Sequence, residues 1–252
     1  MAIRIDGTVA LVTGANRGIG RALTVALLEG GAKKVYAAAR DPKSVQDLAK
    51  KYGARLAAVK LDVTKPAEVT AVAAVATDVQ LLVNNAGIAT NFNAAFTDPG
   101  LVEAGRREIE TNVFGPLALT QAFAPILARN GGGGVVNVNS VVGFVSFPIL
   151  ITYSASKAAL HSLTQATRAH LKAQGTFVAG VHPGPVDTDM GAGIEMEKAS
   201  PESVADAIIK GIEAGDEEIF PDPMAREIGK AYFADPKAVE RNVTNPAAAK
   251  AA

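Results

Sequence analysis

The chain has 252 residues, 25 of them basic and 25 acidic, with three histidines and no cysteine. That length suits one α/β domain with a sizeable core, and zero net charge argues against a general nucleic-acid or anionic-membrane binder. Without cysteine there are no disulfides, thiol nucleophiles or thiolate metal sites. The histidines, His161, His170 and His182, are scattered and read as structural or surface residues, so no metal is expected. Arg4 and Asp6 charge the N-terminus with no apolar stretch behind them, and no run reaches membrane-spanning length. The expectation is a cytoplasmic protein.

Short apolar runs alternate with longer helical patterns. Strands are predicted at Val9–Thr13, Val35–Ala39, Leu56–Leu61, Leu81–Asn84, Val135–Asn139, Phe177–Val181 and Glu218–Phe220. Helices are predicted at Gly18–Glu29, Ser44–Lys51, Pro66–Val75, Leu101–Arg129, Tyr153–Ala173 and Pro201–Ala214. The alternation implies βαβ units and a doubly wound parallel sheet covered on both faces, and the Val-rich strands fit that burial. No linker or repeat divides residues 1–252, and the stretch 235–252 reads as a C-terminal arm or loose tail.

After the first predicted strand, Thr13-Gly14-Ala15-Asn16-Arg17-Gly18-Ile19-Gly20 opens the first helix. Glycines at this spacing let the backbone turn sharply and approach a ligand, and the helix N-terminus offers N–H groups to a pyrophosphate. The spacing differs from GxGxxG, so the glycines share their tasks differently. The second strand ends at Ala39-Arg40 where an NAD site would place an acid. Guanidiniums at Arg17 and Arg40 suit a 2′-phosphate, hence NADP(H), although Asp41 next door could serve a 2′-hydroxyl. Asp62, followed by Val63, either meets an adenine amine or caps the helix before Pro66. Asn84-Asn85-Ala86-Gly87 could run beside the cofactor ribose while its asparagines brace neighbouring strands.

Asn112 lies inside a long helical pattern that Pro116 interrupts. Proline cannot donate to the Asn112 carbonyl, which leaves that carbonyl to a water leading toward Lys157, or else marks a plain kink. Tyr153 and Lys157 are four residues apart and share a helix face. An ammonium beside a phenol is expected to lower its pKa, and Ser140, at the end of the fifth strand, can fold back beside it to hold a carbonyl oxygen. The turn His182-Pro183-Gly184-Pro185-Val186-Asp187-Thr188 comes after the sixth strand, where α/β ligands bind. Val186 and Thr188 could hold a carboxamide, or this stretch only caps the next segment. About ten residues separate Met190 from Ser200. Val142, Phe144, Phe147, Ile149, Leu150, Met190 and Met196 are candidate apolar walls for a substrate, or a surface for a partner subunit.

Taken together, the glycine turn, Asn84-Asn85-Ala86-Gly87, Asn112, Ser140, the Tyr153–Lys157 pair and Pro183-Gly184 resemble the short-chain dehydrogenase/reductase family, from Thr8 to about Pro223. The basic glycine loop looks like that of the NADPH-preferring carbonyl reductases. The resemblance implies a seven-stranded Rossmann-like sheet, an Asn112-Ser140-Tyr153-Lys157 tetrad, a nicotinamide ribose on Lys157, and a homotetramer or homodimer through the two long helices. The expected function is NADPH-dependent reduction of an apolar or aromatic ketone or aldehyde, reversible as an alcohol dehydrogenase. The alternatives are a 3-oxoacyl-carrier-protein reductase docked through Arg129 and Lys172, an NAD-linked alcohol or sugar dehydrogenase, and a non-catalytic NADP-binding regulator.

Overall fold

The structure, a computed structural model, describes residues 2–193 and 195–244. Seven strands, β1 (Val9–Thr13), β2 (Lys34–Ala39), β3 (Leu56–Lys60), β4 (Leu81–Asn84), β5 (Gly134–Val138), β6 (Phe177–Val181) and β7 (Glu218–Ile219), form one parallel sheet in the order β3-β2-β1-β4-β5-β6-β7. The winding reverses between β1 and β4, so their carboxyl ends lie side by side and open the crevice where α/β sheets take ligands.

Alternation along the strands feeds two cores. Ala10 and Val12 point to one face, which α1 (Gly18–Glu29), α2 (Gln46–Tyr52) and α7 (Pro201–Ala214) cover with Leu23, Leu27, Leu48 and Ile208. Val9 and Leu11 point to the other, covered by α3 (Pro66–Val75) and α5 (Gly115–Arg129) with Val72, Leu119 and Phe123. α4 (Leu101–Ile109) and α6 (Ile151–Leu171) pack together on this second side. Local chemistry sets the ends. Ser200 accepts from Ser203 N at 3.1 Å and Pro201 opens α7, which Gly215 closes at φ 80°.

Across the middle of the sheet Asn84 Nδ2 donates to Asn137 Oδ1 at 2.9 Å, and Asn137 Nδ2 donates to Thr164 Oγ1 at 2.9 Å. These buried amides tie β4 to β5 and β5 to α6, the elements that carry the site.

Three segments differ from the sequence reading. The helix expected over 101–129 is α4 and α5 joined by a π turn, Glu110–Phe114, in which Gly115 N donates to Glu110 O. After β7 come two unanticipated helices, α8 (Pro223–Ala234) and α9 (Pro236–Thr244). Gly229 lets α8 sit on Phe220, because a Cβ there would stand 2.6 Å from the ring. The expected arm from 235 thus begins as a helix with Val239 buried, while residues 245–252 lie outside the described ones. No helix among the described residues is long and apolar enough to cross a membrane.

Replacing Asn137 by Ala takes from the Asn84 amide its 2.9 Å partner and leaves it only the 3.3 Å bond to Thr120 Oγ1. Urea unfolding is expected to show a loss of about 1–3 kcal/mol, the cost of an unpaired buried polar group.

Candidate active site

The first turn is a backbone cradle. Gly14 and Gly18 have φ of 65° and 51°, a region only glycine enters freely. A Cβ at Gly20 would lie 2.3 Å from Gly14 O, one at Gly14 3.0 Å from Asn85 Nδ2, and one at Gly18 3.0 Å from Thr188 Cγ2. Thr13 Oγ1 accepts from the N–H groups of Asn85 and Ala86, both at 2.9 Å, and Asn85 Nδ2 donates to Thr13 O at 2.8 Å. The loop after β4 is therefore sewn to the end of β1. Asn16 and Ile19 stand in the same turn, Ile19 packed on the α1 core.

At the edge of this cradle the two arginines part company. Arg17 Nη1 donates to Asp189 Oδ2 at 2.9 Å across the crevice, while Arg40 is exposed at the tip of β2. An exposed pair of this kind contributes about 0–1 kcal/mol, so a dianion can draw Arg17 away. Asp41 is taken up locally, its Oδ1 accepting from Lys43 N at 3.0 Å. Asp62 accepts from Thr64 N at 3.0 Å and Thr64 Oγ1 at 2.7 Å. Burial pushes the Asp62 carboxyl up, but the Thr64 bonds and the charges of Lys65 and Arg40 outweigh it and hold it below its ordinary range. Val63 packs on the helix junction, where a Cβ at Gly115 would come within 2.8 Å of it.

Asn112 sits in the π turn, buried. Its Oδ1 accepts from Ile88 N at 2.8 Å, and its Nδ2 donates to Ile88 O at 2.8 Å and to Ser156 Oγ at 3.0 Å. The side chain is consumed in fixing the β4 loop, so any role in moving protons falls to its carbonyl, which Pro116 leaves without an N–H donor four residues on. Gly87 lies between Asn112 and Lys157, since a Cβ there would be 3.2 Å from Asn112 Oδ1 and 3.6 Å from Lys157 Nζ.

Lys157 is 4 % exposed and donates to Val138 O at 2.8 Å. Burial lowers its pKa to about 8. The turn after β5 lies on α6, where a Cβ at Gly143 would be 2.9 Å from Lys157 O. Ser140 opens that turn, accepting from Val142 N and donating to Pro183 O, both at 3.3 Å. Tyr153 joins the apolar group of Val142, Phe147 and Leu150. Its Lys157 neighbour does not act on it as expected. The ammonium, turned to Val138 O, stands 5.6 Å from the ring centroid, and burial, then the charge of Glu108, push the phenol pKa up rather than down.

The turn Pro183-Gly184 is anchored from below. Asp222, 3 % exposed, takes Gly184 N and Ala225 N at 2.8 Å each, capping α8 as it holds the turn. Beyond it the chain leaves at Val186 and returns at Ala199, where Asp187 N donates to Ala199 O at 2.9 Å. Met190 and Met196 ride exposed on this short excursion, and Thr188 caps its 3-10 turn by accepting from Gly191 N at 3.3 Å. Ile149 is likewise exposed.

Phe144 does not join the proposed walls. It packs against His161, His182, Phe220 and Tyr232, at centroid separations of 4.5, 4.5, 5.7 and 5.2 Å. Two histidines read as scattered therefore meet. His182 Nε2 lies 2.6 Å from Glu218 Oε2, and Arg168 donates to Glu218 Oε1 at 2.8 Å. Burial raises the Glu218 pKa, but His182 and Arg168 outweigh it and hold it low. With one carboxylate oxygen on Arg168 and the other on His182, this cluster is a hydrogen-bonded network centred on Glu218. Glu108, Asp222 and Glu218 carried no signal in the sequence, because nothing local marks a carboxylate for burial.

Residues 8–199 match the short chain dehydrogenase family model. An uncharacterised oxidoreductase of Staphylococcus saprophyticus is 32 % identical over 222 residues, covering 84 % of this chain and 93 % of its own. A short chain dehydrogenase from Burkholderia cenocepacia, crystallised with NADP, is 38 % identical with a TM-score of 0.88, over 96 % of this chain and 99 % of that one. An NADPH-bound carbonyl reductase from chicken fatty liver is 28 % identical with a TM-score of 0.75, over 85 % of this chain and 98 % of that one. The chain belongs to the short chain dehydrogenase family.

The buried lysine sets a pH dependence. Its pKa falls from 10.5 unfolded to about 8 folded, so between those values the unfolded chain binds more protons. Stability gained from this group therefore rises with pH through that window and is absent below about pH 8. Lys157→Met is expected to raise the unfolding free energy at pH 7 by about 1–3 kcal/mol, with the gain shrinking toward pH 10; urea titrations at both pH values measure it.

Proposed function

We propose that this short chain dehydrogenase is an NADPH-dependent reductase of ketones or aldehydes, reversible as an alcohol dehydrogenase. The observation that carries the reading is the convergence of Asn112, Lys157 and the bare backbone of Gly87, with the turn that opens at Ser140 packed through Val142 against Tyr153 on α6. The residues fit a dinucleotide. The tightly packed turn of Gly14, Gly18 and Gly20 brings bare backbone to the N-terminus of α1, where a pyrophosphate would sit, Gly87 and Lys157 would border the nicotinamide ribose, and Val186 and Thr188 would flank the far side. Arg40, with Arg17 released from Asp189, would hold the 2′-phosphate. Asp41 is spent on Lys43, which favours NADPH over NADH.

When bound, NADPH supplies hydride to the carbonyl carbon. Ser140 turns its one hydroxyl hydrogen from Pro183 O, where the bond is a long 3.3 Å, to the carbonyl oxygen and fixes its direction. Tyr153 gives that oxygen its proton as negative charge develops, and the raised phenol pKa keeps the proton in place until then. Lys157 supplies a positive charge behind the phenol, and the Asn112 carbonyl begins the route by which Tyr153 is reprotonated. Val142, Phe147 and Leu150 present apolar surface to the substrate, with Met190 and Met196 at the rim. Assembly of copies through the long helices is supported by Val102 and Phe114, exposed on α4 and the π turn.

Carrier-protein docking has weaker support. Arg129 and Lys172 stand at the far ends of α5 and α6, and a helix of 15 residues is about 22 Å long, so both lie at the edge of the sheet opposite the crevice.

Tyr153→Phe is expected to lose at least about a thousandfold in ketone-dependent NADPH oxidation while binding NADPH unchanged by fluorescence titration; substantial residual turnover contradicts the assignment. Arg40→Ala is expected to weaken NADPH about tenfold or more and leave NADH untouched; equal losses overturn the 2′-phosphate site.

A further inference from the structure

Glu108 lies in the charged stretch Arg106-Arg107-Glu108, yet it is 0 % exposed. Its Oε1 accepts from Thr90 N at 2.6 Å and from Thr90 Oγ1 at 2.8 Å, while Oε2 has no hydrogen-bond partner among the described residues. Such an oxygen is costly to bury, and a carboxylate kept in that state is a candidate for function.

Two contacts fix what it faces. At Gly105 a Cβ would stand 3.1 Å from Thr152 Cγ2, and Asn112 Nδ2 reaches Ser156 Oγ at 3.0 Å. Glu108 lies on the same face of α4, between those two points. It therefore faces the turn of α6 between Thr152 and Ser156, where Tyr153 stands. Tyr153 itself belongs to the hydrophobic cluster of Val141, Val142, Phe147, Leu150, Ala225, Phe220 and Ile228. Lys157 stands on the same helix with its Nζ 5.6 Å from the ring centroid, and the charge that shifts the phenol is that of Glu108 on α4.

We infer that Glu108 is a positioning residue that pins the β4 loop through one oxygen and, through the other, keeps the Tyr153 phenol protonated for carbonyl reduction. The inference rests on the reductase reading above. A carboxylate beside a phenol disfavours phenolate, opposing Lys157, and the Tyr153 pKa shifts in that direction. The carboxylate then holds the site in its proton-bearing form and keeps phenolate scarce. Alcohol oxidation, which needs phenolate, is held back at neutral pH.

Glu108→Gln removes the charge, keeps the volume and leaves an oxygen to accept from Thr90. In the oxidation direction the rate rises with the phenolate fraction, so at fixed neutral pH the variant is expected to oxidise an aryl alcohol with NADP+ about tenfold faster, its pH profile displaced by roughly one unit to lower pH. Glu108→Asp, which keeps the charge, is expected to retain the wild-type profile. A Glu108→Gln enzyme that is slower in both directions with an undisplaced profile overturns the inference and leaves a clamp only. A substrate-free measurement separates this from the function itself. The tyrosinate absorbance lost in Tyr153→Phe is expected to develop about one pH unit earlier in Glu108→Gln than in wild type; an unchanged pH overturns the inference. Failure of the wild-type enzyme to turn over any carbonyl or alcohol would instead sink the reductase reading, with the absorbance titration still deciding Glu108.

Discussion

A buried ammonium is the constraint on which the rest depends. Lys157 gives up water for one carbonyl, Val138 O, and its lowered pKa corresponds to about 3 kcal/mol of disfavoured charge. Everything near it is shaped to admit it. Gly143 lies against its backbone, Gly87 leaves space before its Nζ, and Asn112 closes the far side of that space. A protein that only needed a core would place an apolar side chain here, so the buried lysine supports the proposed site.

The site also depends on polar side chains that bind loops rather than ligands. Thr13 and Asn85 sew β1 to the loop after β4, Asn112 and Glu108 hold that loop at Ile88 and Thr90, and Asp222 holds the Pro183-Gly184 turn to α8. Each fixed loop ends a neighbouring strand at the carboxyl edge of the sheet. The π turn belongs to this scheme, because it carries Asn112 between the β4 loop and Ser156 at the point where an unbroken helix would have had to accept Pro116. Rigid loops around a bare backbone cradle preorganise the crevice without filling it.

The sequence made legible whatever is written locally. Val9–Thr13 with the glycine turn and an amphipathic helix after it reads as a βα unit from periodicity and glycine spacing alone, and all seven strands were visible as apolar runs. Pro116 announced a helix defect four residues after Asn112. What stayed hidden depends on distant contacts. The Arg17–Asp189 pair spans 172 positions, and the His161–His182–Glu218 cluster draws on three elements, so neither has a local signature. Glu108 sits among exposed charges, and only the packing of α4 on α6 shows it to be buried. The expected lowering of the Tyr153 pKa failed for the same reason, since i, i+4 spacing gives proximity but not the direction in which Nζ turns. α9 has no local signature because a tail rich in Ala, Lys and Asn serves arms and helices alike, and α8 has none because its seat on Phe220 at Gly229 is a tertiary fact.

The central claim is hydride delivery to a carbonyl carbon with Tyr153 supplying the proton. It is tested most directly by giving the wild-type protein NADPH deuterated at the reactive C4 position together with aryl ketones, and measuring deuterium in the alcohol by mass spectrometry. The account predicts one deuterium per turnover at the carbinol carbon from one face of the cofactor, and none formed by Tyr153→Phe. NADPH oxidation without deuterium in the product, or undiminished transfer in that variant, would contradict it.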